Sequence, residues 1–114
     1  VRELNDEVRA AFRCIVDAGI PLLNQMVLLR NVNDSVEALR ELCETLVRLG
    51  VAPYYLHHPD RVEGASHFYV SLDDGKRIYR DLCRKISGIA CPKYVIDPPT
   101  GEGKRLVLEW SGTD

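Results

Sequence analysis

Apolar residues recur along this chain with two periods that alternate. Leu4, Val8, Phe12 and Ile15 return at helical spacing through a charged segment that stops at Gly19, which predicts an amphipathic helix at the start. Residues 21–29 then form a short, nearly continuous apolar run, broken by Asn24 and Gln25, the pattern of a strand covered on both faces. Val36, Leu39, Leu42, Cys43, Leu46 and Leu49 follow as one helical stripe ended by Gly50. Asn33, Asp34 and Ser35 offer caps for that helix, and Glu37 stands three residues after Asp34 as a capping box requires.

A second strand is expected over Val51 to His57, with Pro53 tolerated near its start and an exit through His58, Pro59 and Asp60. Beyond a loop, Ser71 caps a third helix with Asp74 three residues on, and Ile78, Tyr79, Leu82, Cys83, Ile86 and Ile89 give it an apolar stripe. Pro92 opens the last segment. There Lys93 to Ile96 and residues 105–110 read as short strands flanking a turn with Gly101 and Gly103, and residues 111–114 as a loose tail.

Helix and strand thus alternate with a period of about thirty residues, the rhythm of βαβ units. The fold class expected is α/β with parallel strands. Parallel strands share one rim at their C-terminal ends, where such sheets place ligands. Asp60 and Asp97 both close a strand at that rim.

The chain has 114 residues, one domain's worth and less than half of an eight-stranded barrel of roughly 250 residues. With 15 basic and 17 acidic residues mixed along it and a net charge of −2, it offers no basic face for phosphate backbones, so nucleic acid is not an expected partner. Apolar runs are short and the first seven residues are acidic, so neither membrane segment nor signal peptide is expected and a cytoplasmic location is. Cys14, Cys43, Cys83 and Cys91 never approach C-x-x-C spacing; the first three fall in helical patterns and read as buried free thiols rather than disulfide partners.

The densest candidate chemistry lies between Asp97 and Lys104, where two prolines end a strand and Gly101 and Gly103 bare the backbone around a lysine. A Walker A loop needs glycine where Pro98 stands and a hydroxyl where Arg105 stands, so nucleotide cradling is not expected. Lys104 is either a solvated turn lysine or, where partial burial frees its amine, a Schiff-base former. Asp60 and Asp97 are either loop acids or a pair that matches a ligand ammonium. His57, His58, Asp60 and His67 raise the question of a metal site, but adjacent strand residues point to opposite faces and His67 lies beyond a glycine-containing loop, so hydrogen-bonding or surface roles are expected of the histidines. Gln25 either contacts a ligand or satisfies neighbouring backbone.

Taken together, residues 23–30 with Val32-Asn33-Asp34, Pro53-Tyr54-Tyr55-Leu56-His57 through Asp60 to Gly64 and His67-Phe68, and Ser87-Gly88 with Pro92 resemble the lysine 2,3-aminomutase family over nearly the whole chain. That resemblance implies radical enzymes that use S-adenosylmethionine, a four-iron cluster and pyridoxal phosphate to move an amino group between adjacent carbons, on a partial α/β barrel. It implies that Lys104 holds pyridoxal phosphate, that Asp60 and Asp97 hold the side-chain ammonium of a small basic amino acid, that Gln25 contacts the S-adenosylmethionine nucleoside, and that Tyr55 and His57 face the cofactor cavity. It further implies one unit over 1–114, with 93–114 as a C-terminal β extension carrying the lysine, and a homo-oligomer.

Two departures stand out. The family's glycine-rich run before the lysine is here Thr100-Gly101-Glu102-Gly103-Lys104-Arg105-Leu106, and the C-x-x-x-C-x-x-C cluster motif is absent, so the chain alone is expected to be inactive. A branch that modifies a lysine of a translation factor, and a non-catalytic α/β binding or relic module, are the competing expectations.

Overall fold

The computed structural model describes residues 6–19, 22–59, 66–98, 101 and 103–110. Three α-helices, α1 (Asp6–Asp17), α2 (Val36–Arg48) and α3 (Leu72–Lys85), alternate with strands β1 (Leu22–Val27), β2 (Val51–His57) and β3 (Lys93–Ile96), and a two-residue strand β4 (Arg105–Leu106) follows. The sheet order is β1-β2-β3-β4; the first two pairings are parallel and β3–β4 is antiparallel, so the sheet is mixed. None of the described helices is long and apolar enough to cross a membrane.

Local chemistry sets the helix ends. Ser35 caps α2 by accepting from Ala38 N at 3.1 Å, so Glu37 falls one position short of the expected capping box, and Asp34 instead accepts from Asn31 N at 3.1 Å. Ser71 caps α3 by accepting from Asp74 N at 3.2 Å, as the spacing predicts. Gly50, with φ of +82°, supplies the left-handed turn that stops α2.

The helices contribute to one core. Leu39, Cys43 and Leu46 of α2 and Ile78 and Leu82 of α3 pack with Met26, Leu28, Leu56, Tyr94, Ile96 and Val107 from the sheet side, and Val8 of α1 lies against them. At roughly 25 cal/mol per Å² of apolar surface removed from water, each fully buried leucine in this set contributes about 2 kcal/mol.

Only one face of β1 is covered, which corrects the expectation of two. Leu23 and Val27 remain 60% and 43% exposed, because among the described residues the core lies on the other side of the strand. Other expectations fail for local reasons. Helix α3 ends at Lys85, so Ile89 leaves the stripe and is 83% exposed. The strand expected over 105–110 pairs at Arg105 and Leu106 only; Glu109 N and Trp110 N turn back to Leu106 O at 3.1 and 3.0 Å. Of the four cysteines only Cys43 is buried, while Cys14 and Cys83 are exposed.

Candidate functional site

The site begins with an irregularity in β2. Asn24 pairs with Pro53 and Gln25 with Tyr55, so Tyr54 is an extra residue in the ladder. Proline has no N–H to give, and a bulge at that point absorbs the missing bond. As a result Tyr54 and Tyr55 both turn to the open face, their ring centroids 4.5 Å apart, while Leu56 returns to the core.

From Tyr55 a row of polar and aromatic groups crosses that face. The rings of Tyr55 and His57 meet edge-on at 5.5 Å, and His57 Nε2 lies 2.9 Å from Gln25 Oε1. A glutamine carbonyl oxygen only accepts, so this geometry puts the proton on Nε2. On the other side Lys104 Nζ lies 5.8 Å from the centre of the Tyr55 ring, a cation–π contact worth about 0.5–1 kcal/mol where exposed. Gln25, Tyr55, His57 and Lys104 are therefore brought together.

The antiparallel register of β3 and β4 pairs Val95 with Leu106 and Ile96 with Arg105; Asp97 directly follows β3 and Lys104 directly precedes β4. Both side chains are exposed, and among the described residues no ion pair joins them. Gly101 and Gly103, with φ of +75° and +83°, have open space where a Cβ would stand, so the backbone beside Lys104 is approachable. Asp60 lies outside the described residues. The chain leading to it is nonetheless fixed, since His58 N donates to Val95 O at 2.8 Å beside the end of β3.

His58 has a different role from His57, as opposite strand faces require. It is 5% exposed, with Tyr94 Oη 2.7 Å from Nδ1 and Tyr69 Oη 3.1 Å from Nε2. A neutral imidazole satisfies both hydroxyls, donating at one nitrogen and accepting at the other. Sequence reasoning passed over Tyr69 and Tyr94; the available signal was Gly75 inside α3, whose Cβ would collide with the Tyr94 hydroxyl. Near the β1 edge, Asn24 Oδ1 is buried without a hydrogen-bond partner among the described residues, beside a groove of about 520 Å³ lined by Val8, Asn24, Leu42 and Leu46. No group of three His, Cys, Asp or Glu among the described residues is arranged to hold a metal ion.

A sheet rim that presents a lysine, an aromatic ring and a carboxylate is a fitting surface for amino-acid chemistry, and the named relatives of this chain are aminomutases. L-lysine 2,3-aminomutase of Fusobacterium nucleatum is 40% identical over 107 residues, 94% of this chain and 25% of that enzyme. The enzyme of the same name from Clostridium subterminale is 41% identical over 106 residues, 93% of this chain and 26% of that enzyme. Glutamate 2,3-aminomutase of Clostridioides difficile is 38% identical over 106 residues, 93% of this chain and 25% of that enzyme. No protein-family model matches the chain. The chain belongs to the lysine 2,3-aminomutase family, corresponding to a C-terminal portion, and spans about a quarter of the length of these relatives.

Proposed function

We propose that this chain is the part of a 2,3-aminomutase that presents the pyridoxal phosphate lysine and one end of the substrate site, on the last βα units of a partial barrel whose interior is the open sheet face. The row Lys104, Tyr55, His57, Gln25, with Asp97 just past the end of β3, carries the reading. The exposed Leu23 and Val27 of β1 support it, because they stand on the open face, the side a closed barrel turns to its interior.

The residues present fit the groups the family uses. Lys104 projects its amine over an aromatic ring beside an unencumbered glycine backbone, which suits covalent attachment of an aldehyde cofactor with the ring of Tyr55 flanking it. Pyridoxal phosphate, when bound, supplies a conjugated ring beside the amine that moves, and S-adenosylmethionine with its cluster supplies the initiating radical. Cluster ligands have no counterpart in this sequence, since positions 14, 43, 83 and 91 do not form the motif.

The chain's own residues bind and orient. Asp97, with Asp60 proposed as its companion, holds a cationic side chain, so a small basic amino acid is the preferred substrate over an acidic one. Percent identity does not decide this, since the lysine and glutamate enzymes match almost equally well. His57 holds the Gln25 amide so that its NH₂ faces outward as a donor toward the nucleoside. The segment 93–114 serves as an extension that folds back against β3 to return the lysine to the rim.

Borohydride reduction of the full-length protein after incubation with pyridoxal phosphate, followed by peptide mapping, tests the assignment. The expected result is one pyridoxyl-labelled residue, Lys104, with labelling abolished in Lys104→Arg. Label on Lys93 or Lys76 with Lys104 unmodified would remove the role.

A further inference from the structure

We propose that Cys83 and Cys91 form a reversible dithiol–disulfide site at the turn between α3 and β3. Their Sγ atoms lie 3.0 Å apart. A disulfide bond is about 2.0 Å long, so roughly 1 Å of side-chain rotation closes it.

The surrounding backbone holds the pair in place without help from the sulfurs. Cys83 sits in the last turns of α3, and Cys91 follows a tight turn in which Ala90 N donates to Ser87 O at 3.0 Å and Cys91 N to Gly88 O at 3.3 Å. On the far side of Cys91, the Tyr79 hydroxyl donates to Pro92 O at 2.7 Å and ties the start of β3 to the helix. Pinning from both directions keeps the sulfurs together, which favours an intramolecular step over attack by an outside thiol.

Exposure divides the two roles. Cys83 is exposed and meets an oxidant first, whereas Cys91 is half-buried and its thiol is held protonated by burial and by the neighbouring Cys83. With hydrogen peroxide as oxidant, the Cys83 thiolate attacks one oxygen, the O–O bond breaks, and the departing hydroxide takes a proton to become water. Cys91 sulfur then attacks the sulfenic sulfur, the S–O bond breaks, and a second water leaves with the Cys91 proton. Two electrons pass from the thiols to the peroxide, and a small dithiol returns them. The closed bridge fastens the end of α3 to the root of the strand that leads to Asp97.

The test is peroxide titration of the native full-length protein, alkylation, digestion with trypsin without reduction, and mass spectrometry. Trypsin cuts after Arg80, Arg84, Lys85 and Lys93, so the bridge joins peptides 81–84 and 86–93. That joined species should form first, exceed any other cysteine pairing by about tenfold, vanish on dithiol treatment, and lose its preference in urea. Both thiols alkylated after peroxide has consumed Cys14, or Cys91 joined to Cys43 instead, would overturn the proposal. In Cys91→Ser the sulfenic acid on Cys83 should persist and be captured by dimedone. Equal capture in the unaltered protein would overturn it as well.

Discussion

His57 and Gln25 are joined diagonally across two parallel strands. The register sets His57 beside Val27 and Gln25 beside Tyr55, yet the imidazole reaches back one pleat to the glutamine oxygen at 2.9 Å. One acceptor is thereby occupied and the amide's orientation is fixed on the open face.

Removing the imidazole tests whether that fixation matters to binding. His57→Ala should weaken S-adenosylmethionine binding to the full-length protein about fivefold, the loss of roughly 1 kcal/mol of hydrogen bonding. Unfolding in urea should shift by under about 1 kcal/mol, since the group lies outside the core. Equilibrium binding and a urea curve on the same preparation separate the two effects.

Asp97 is exposed just past the end of β3, and the proposed function gives it the substrate's cationic end. Asp97→Asn should raise KM for a basic amino acid about tenfold, with a smaller change in kcat, because an exposed or rim carboxylate is worth on the order of 1 kcal/mol in binding. Steady-state kinetics with lysine provides the check; an unchanged KM would place the ammonium elsewhere.

Gly75 is predicted to be intolerant of a methyl group despite its helical setting. An added Cβ meets the Tyr94 hydroxyl and ring, so Gly75→Ala should destabilise by about 1–3 kcal/mol although alanine is the better helix former. Combining it with Tyr94→Phe should recover part of the loss, since the hydroxyl is the nearest obstacle. Urea midpoints of the two single variants and the double variant give the coupling.

Alkaline stability carries a signature of Cys43. Burial, with help from Glu44, raises its thiol from the ordinary 9.0 to about 11. The unfolded chain then releases this proton before the native one does, so the contribution is complete below about pH 9 and is lost as pH climbs toward 11. At about 1.4 kcal/mol per pKa unit the effect is on the order of 2 kcal/mol. Urea unfolding at pH 8 and pH 10.5 should show a steeper decline for the unaltered protein than for Cys43→Ala.

Much of the framework was readable from residue pattern. The β2 bounds, the Ser71 cap and the Gly50 stop all follow from local chemistry, and local chemistry decided them. The second face of β1 was not readable, because an apolar run states that a surface is greasy and says nothing of which neighbour covers it. Residues 107–110 alternate acceptably for a strand, but their partner β3 begins at Lys93 after Pro92, which has no N–H for further pairing. Of the site, Asp97 directly follows β3 and Lys104 directly precedes β4, on the two sides of the turn the prolines and glycines predicted, while the His58, Tyr69 and Tyr94 cluster depends on contacts between distant elements that no spacing along the chain encodes.

The extra tyrosine in β2 acts as a phase shift in the strand's two-sided alternation. Were the bulge ironed flat with all seven residues kept, strict alternation from Val51 and Pro53 would turn Tyr55 and His57 toward the core and Leu56 toward the open face. A single inserted aromatic thus lets one seven-residue strand serve two incompatible periodicities, anchoring its first half by Val51 and Pro53 and its second by Leu56.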